Sequence, residues 1–455
     1  MRERLVERIQ KATARAAVST ESNLITVAAP AGAVDPLSFA LKAAPDAMAY
    51  WEQPDHQFAI AARGAAYTVE LEAADDRFAV AGVALRSLRA RTNQGAIDGA
   101  DRAPVLIGGF SFFSTCEWEG FPSGRLVLPE LALIKRGERS AWVAAAEVTG
   151  ATDPASLADR LLGWIHDAQA AAWPTVEPGL ADHKRAVAID FRDPAYLKTV
   201  EGAISEIEDT GLSKVVLARR LAVDHQPDLG AFLAALRARY PTCAIFAFGV
   251  SNNVFCGATP ERLARVDGVS VSTAAVAGTA PRGSDATQDE VIADRLRNDP
   301  KELEEHGYVI SNIRRRLSSG GFSLDQVAPT EVMRLPGIQH LVTPITGTAP
   351  VGTNVLDVVG ALHPTPAVAG LPVEASLDWI RAYEPLDRGW YAAPVGFCDL
   401  AGNGEFRVAL RSALIGYGTS RLFAGAGIVR ASSPARELEE TNLKFGALLP
   451  SLLGS

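Results

Sequence analysis

Two apolar spacings alternate along this chain. Short apolar runs read as strands: Phe58-Ala-Ile-Ala, Arg77-Phe-Ala-Val-Ala-Gly-Val, Ala141-Trp-Val-Ala-Ala-Ala, and Lys214-Val-Val-Leu-Ala-Arg-Arg-Leu-Ala-Val. Ala244-Ile-Phe-Ala-Phe-Gly-Val and Val254-Phe-Cys-Gly-Ala flank Ser251-Asn252-Asn253 as a hairpin. Further strands are expected over Phe406–Ile415 and Arg421–Val429. The helical spacing predicts helices from Pro154 to Ala172 with Asp153 as cap, from Tyr196 to Asp209 with Gly211 as stop, from Pro300 to Leu317, and from Pro434 to about Leu449. Strands cluster in hairpins and do not strictly alternate with helices. The pattern therefore predicts an α+β fold, a large antiparallel sheet flanked by helices, and not a doubly wound one.

Trp173-Pro-Thr-Val-Glu-Pro-Gly suits neither helix nor strand and reads as a connector. It separates an N-terminal α+β lobe, residues 1–185, from residues 186–455, where chemistry-bearing residues are denser. The length of 455 residues is compatible with one large two-lobed domain or with about three units at ~150 residues each.

Charge narrows the partners. With 44 basic and 53 acidic residues the net charge is −9, against a non-specific nucleic-acid binder, which needs a basic surface. Mean hydropathy is +0.08, but it comes from scattered alanines, and no apolar run of ~18 residues is present to span a bilayer. The charged amphipathic start, Met1-Arg-Glu-Arg-Leu-Val-Glu-Arg-Ile-Gln, has no signal-peptide core. Cys116, Cys243, Cys256 and Cys398 form no C-x-x-C pair, so reduced thiols in a cytoplasmic protein are expected. A monomer is expected.

An internal echo carries candidate chemistry. Asp299-Pro300-Lys301 leads into Glu302-Leu-Glu-Glu305, and Ser433-Pro434-Ala-Arg436 leads into Glu437-Leu-Glu-Glu440. Each pairs a capping residue with proline at the first helical position. The outer glutamates are three apart and share a helix face. Two such faces opposed would offer four hard carboxylate ligands suited to Mg²⁺. Acidic residues in a first turn equally complement the helix dipole, and Glu302 could close a capping box with Asp299. Lys214 shares a strand face with Val216, Ala218 and Arg220; it is either a base in dry surroundings or a strand-end lysine in water. Glu261, after Gly257-Ala-Thr-Pro, is a general acid in a cleft or a solvated turn residue. Gly425-Ala-Gly427 and Gly278-Thr-Ala-Pro-Arg-Gly283 could present backbone N–H groups to an anion. No phosphate loop and no dinucleotide fingerprint is present.

Taken in order, these segments resemble the chorismate-utilising enzymes, that is, isochorismate, salicylate, anthranilate and aminodeoxychorismate synthases. The motifs are Lys214-Val-Val-Leu-Ala-Arg, Gly257-Ala-Thr-Pro-Glu-Arg-Leu, Ala277-Gly-Thr-Ala-Pro-Arg, Lys301-Glu-Leu-Glu-Glu-His306, Gln339-His340-Leu, Leu362-His-Pro-Thr-Pro-Ala-Val-Ala-Gly, Arg388-Gly-Trp-Tyr391, Leu422-Phe-Ala-Gly-Ala-Gly-Ile and Glu440-Thr-Asn-Leu-Lys444. They span about residues 190–450, and Gly108-Gly-Phe-Ser-Phe adds a segment similar to one in isochorismate synthases.

The resemblance implies a two-lobed fold like anthranilate synthase component I. Ammonia-using members carry Gln where this chain has Lys214; water-adding members carry Lys. With the His-Pro-Thr-Pro segment, this implies conversion of chorismate to isochorismate, and salicylate synthesis or a non-catalytic, partner-dependent subunit are the alternatives. Implied roles are Lys214 as base, Glu261 as acid, Glu302, Glu305, Glu437 and Glu440 as Mg²⁺ ligands, and Gly278, Thr279, His340, Tyr391, Arg411, Ala426, Gly427 and Lys444 as substrate contacts. Base and acid must start as neutral amine and neutral acid, so the site must shift both pKa values. Ala369 and Ala393 stand where relatives often carry Gly.

Overall fold

The computed structural model describes residues 2–19, 21–96, 100, 103–179 and 189–454. Among them, two sheets carry the fold. The larger runs in the order Gly370–Leu371, Lys214–Val223, Thr419–Ile428, Ser412–Gly416, Asn253–Thr259, Ala244–Val250, Met48–Gln53, Phe58–Arg63, Leu131–Arg136, Arg139–Val148, Asn23–Ala31, Thr92–Ala96. The smaller runs Ser323–Leu324, Ile338–Thr348, Ser270–Pro281, Arg262–Asp267, Gly404–Val408, Pro394–Asp399, Val105–Phe110, Gly124–Leu128, Tyr67–Leu71, with Glu331–Leu335 also paired to Ile338–Thr348. Every pairing is antiparallel except Asn23–Ala31 with Thr92–Ala96, which is parallel.

The period of two sorts side chains between two cores. Trp51, Ile60, Phe246 and Phe248 point between the sheets and join Leu106, Phe110, Val395 and Phe406 of the smaller sheet; the Trp51 ring meets Phe397 across the gap at 5.8 Å. Their neighbours Tyr50, Ala61, Ile245 and Ala247 point outward into a second core, covered by helices Arg2–Ala16, Pro154–Ala170 and Leu229–Arg239.

Several elements differ from the sequence expectations. Arg77–Val83 is not a strand but the start of helix Arg77–Arg91. Its buried residues Phe78, Ala81, Leu85 and Leu88 recur at helical intervals that only the longer window shows. The run Phe406–Ile415 splits into Gly404–Val408 in the smaller sheet and Ser412–Gly416 in the larger. The helix from Pro434 ends at Phe445, and a separate short helix, Leu449–Leu453, follows. Asp153 and Asp299 cap their helices through side-chain oxygens, but Ser433 makes no such bond. Gly425-Ala-Gly427 lies inside strand Thr419–Ile428, and Gly278-Thr-Ala-Pro281 ends strand Ser270–Pro281, with Arg282 and Gly283 beyond it. The boundary at 185/186 falls outside the described residues, and strands from both sides of it interleave in both sheets.

Candidate active site

Two crossovers define where the site lies. The chain passes from the larger to the smaller sheet at Pro260-Glu261, and returns at Ala409–Arg411. They are tied together: Val408 N–H donates to Glu261 O at 3.0 Å, and Ala258 N–H to Arg411 O at 3.1 Å. Arg411 adopts φ +48° to make the return. Behind them, Arg407 Nη1 donates to Pro260 O at 3.2 Å, and its Nε pairs with Glu405 at 2.7 Å. Gln53, from the N-terminal part of the chain, donates to the same Glu405 at 2.6 Å.

A cleft opens at this seam. Lys214, Glu261, Gly278, Thr279, Glu302, Glu305, His340, Tyr391, Arg411, Gly427, Glu437, Glu440 and Lys444 all line it; Ala426 does not. Strand geometry explains the exception. Val216 N–H goes to Ala369 O and Ala218 N–H to Glu384, so these residues face away from strand Thr419–Ile428. Leu217 opposite Ala426 therefore takes the ladder bonds, and the Ala426 side chain packs with Leu217 and Val200 on the far face. Gly425 and Gly427 instead turn their amides to the edge that Ser412–Gly416 leaves unpaired beyond Phe423, and Lys444 holds Gly425 O at 2.6 Å.

Glu261 is buried, 5% exposed; desolvation pushes its carboxyl up to about 8. It is thus a protonated acid at neutral pH, not a solvated turn residue. Lys214 is likewise enclosed, with side-chain exposure of 12%, and its Nζ lies 3.2 Å from Glu305. Room for that amine depends on Gly427, where a Cβ would stand 2.6 Å from Lys214 Cε.

The two helix openings meet in this cleft. Helix Pro300–Ser319 packs on strand Ser270–Pro281 and helix Pro434–Phe445 on Thr419–Ile428. Glu302 accepts Thr279 N–H and does not reach back to its own cap. Gly278, at φ +76° beside a bulge, makes that approach possible; a Cβ would meet Glu302 Oε2 at 3.0 Å. Burial raises Glu302, and Glu305 raises it further; burial raises Glu437, and Glu440 adds to that against the Ser432 hydrogen bond. Burial also pushes Glu440 upward, but Lys444, Lys214 and Lys301 carry it below its ordinary value. Arg219 anchors the second helix from behind, through Thr441 Oγ1 at 2.7 Å and Asn442.

Like-charged carboxylates destabilise one another when buried, and a divalent cation relieves that repulsion. Four of them on one cleft form an all-oxygen donor set that fits Mg²⁺ chemically. Among the described residues, no three His, Cys, Asp or Glu side chains stand together at metal-binding range, and lysines neutralise part of the charge. Lys301, which sequence reasoning passed over, lowers Glu302, Glu437 and Glu440 together; its signal was its place beside Glu302 at the helix opening.

Beside Gly278 and Thr279, burial and the charges of Arg411 and Lys444 hold His340 neutral, down to about 3. Its Nδ1 lies 3.2 Å from Gly278 O and 3.0 Å from Thr279 Oγ1. The network assigns the proton to Nδ1, leaving Nε2 to accept from Arg411 Nη2 at 3.3 Å. Arg411 Nη1 is buried with no hydrogen-bond partner, a cation presented to an anion. Arg388, also missed as a framework residue, clamps Glu384 at 2.7 Å and the carbonyls of Val216 and Val368 at 2.7 and 2.8 Å.

A buried proton donor, an enclosed amine, paired carboxylates and an unsatisfied arginine on one cleft define an enzyme that binds a small anionic substrate and moves protons on it. The chain belongs to the chorismate binding enzyme family, whose model matches residues 8–453. It is 36% identical over 361 residues to the isochorismate synthase MenF of Bacillus subtilis, covering 77% of this chain and 75% of that one. It is 36% identical over 412 residues to the salicylate biosynthesis isochorismate synthase of Pseudomonas aeruginosa, covering 89% and 84%. Among solved structures, the menaquinone-specific isochorismate synthase MenF from Escherichia coli superposes with a TM-score of 0.77 at 27% identity, covering 99% of both chains. Anthranilate synthase component I from Streptococcus pneumoniae shares the fold, with a TM-score of 0.69, 19% identity and 86% and 92% coverage.

Proposed function

We propose that this protein is an isochorismate synthase, converting chorismate to isochorismate for menaquinone or siderophore biosynthesis. The observation that carries this reading is the pairing of Lys214 with a protonated, buried Glu261 on one cleft. Lys214 takes a proton from a water that bonds to C2 of the ring. The ring double bond shifts, and Glu261 gives its proton to the 4-hydroxyl, which leaves as water. One water enters and one departs, so atoms balance, and the two side chains exchange protonation states before the next cycle.

Chorismate carries two carboxylates, so an acidic protein must bind it by local positive charge. Arg411 and the edge amides of Gly425 and Gly427 suit the enolpyruvyl carboxylate, with Tyr391 beside them. A Mg²⁺ ion held by Glu302, Glu305, Glu437 and Glu440 would supply positive charge to the ring carboxylate. Lys444 braces Glu440 at 2.7 Å and the glycine edge.

Incubating the purified chain alone with chorismate and Mg²⁺, with and without a chelator, and separating products by chromatography tests this. Isochorismate formed only without chelator is expected. Salicylate plus pyruvate as main products would make it a salicylate synthase, and no consumption would point to a partner-dependent subunit.

A further inference from the structure

The loop joining strands Val105–Phe110 and Gly124–Leu128 belongs to the N-terminal part of the chain, yet it grips the segment that carries Tyr391. Phe112 N–H donates to Gly389 O at 2.7 Å, and Glu117 N–H to the Asp387 carboxylate at 2.7 Å. Trp118 Nε1 donates to Asp387 O at 3.1 Å, and Trp390 Nε1 to Pro122 O at 2.9 Å. Gly389, at φ +50°, lies so close that a Cβ would stand 2.2 Å from the Trp118 indole. That indole stacks on Phe423, with centroids 4.9 Å apart and planes at 22°; Phe423 in turn stacks on Tyr391 at 5.4 Å and 21°. Phe423 and Tyr391 line the cleft, whereas Trp118 stands behind them.

We propose that Trp118 is a positioning residue that fixes the rings of Phe423 and Tyr391 against the substrate, so that the N-terminal part of the chain shapes the catalytic cleft. Without the indole, Phe423 has a void to tilt into, and the stack of Phe423 on Tyr391 loosens with it. Lys214 and Glu261 lie on other elements, so substrate binding suffers before proton transfer does. This rests on the cleft being the chorismate site.

The test uses full-length Trp118→Ala and Trp118→Phe, each alone and with Tyr391→Phe, measuring KM and kcat for chorismate and the melting temperature. Trp118→Ala is expected to raise KM roughly tenfold with kcat within about threefold, and Trp118→Phe to restore KM to within about threefold. Combined with Tyr391→Phe, the alanine change should add little more. The proposal is overturned if KM rises equally in both backgrounds, or if KM stays put while kcat falls in step with melting temperature. Should Trp118→Ala not fold, Trp118→Leu is judged by the same outcomes. Failure of the underlying site reading looks different: Tyr391→Phe alone would leave KM unmoved.

Discussion

Gly427→Ala probes the site at its tightest point. A Cβ there would lie 2.6 Å from Cε and 3.1 Å from Nζ of Lys214, whereas carbon atoms in contact settle at about 3.5–4.0 Å. The lysine side chain must therefore retreat by roughly 1 Å. Its backbone cannot follow, because Lys214 is paired with Leu371 on one side and its neighbour Val215 with Ile428 on the other. Misplacing a reacting group by about 1 Å costs on the order of 10² in rate, or about 2.7 kcal/mol of barrier. Gly427 is not in the left-handed region, so alanine fits the backbone and the fold should hold. Steady-state isochorismate formation is the assay, with the melting temperature as control. A kcat about 10²-fold lower at nearly unchanged melting temperature is expected. A kcat within about threefold of the parent would refute the assignment of Lys214 as the base, since its amine would then tolerate displacement.

Glu261→Gln should abolish turnover yet stabilise the protein in alkali. With a carboxyl at about 8 in the fold and 4.5 as its ordinary value, the unfolded chain ionises first. Stability from the protonated acid is whole below about 4.5 and drains away as pH climbs to about 8, by at most about 5 kcal/mol. The mutant's gain in melting temperature should thus be larger at pH 8 than at pH 5, and an equal gain at both would contradict the raised value. The same carboxyl predicts that parent kcat falls above about pH 8. Arg411→Gln should raise KM for chorismate by roughly 10²-fold, as loss of a charge-assisted contact implies, with the chemical step less affected; an unchanged KM would place the substrate carboxylates elsewhere.

Local signals made part of this site legible. Proline at each opening, behind Asp299 in one and Ser433 in the other, marks where the glutamates begin, and a three-residue spacing puts each pair on one face. What stayed hidden depends on contacts distant in sequence. Nothing around Phe406–Ile415 marks where the run leaves one sheet for the other, because both halves are equally apolar and the break is three residues, Ala409–Arg411, ending in an arginine at φ +48°. Ala426 and Gly427 are neighbours in one motif, yet alternate strand residues face opposite ways, so only Gly427 lines the cleft. Gln53 reaches Glu405 across 352 positions and Trp118 reaches Asp387 across 269, so the N-terminal contribution to the site shows in the sequence only through the resemblance of Gly108-Gly-Phe-Ser-Phe. Ala369 and Ala393, where relatives often carry glycine, are fully buried and sit in the core without lining the cleft.

Water labelled with ¹⁸O addresses the chemistry most directly. If Lys214 delivers a solvent molecule to C2 while Glu261 expels the 4-hydroxyl, isochorismate made in labelled water must gain one heavy oxygen, located at C2 by mass spectrometry of the fragments. Isochorismate formed without the label would mean that the hydroxyl migrates within the substrate, and the roles given to both side chains would fall.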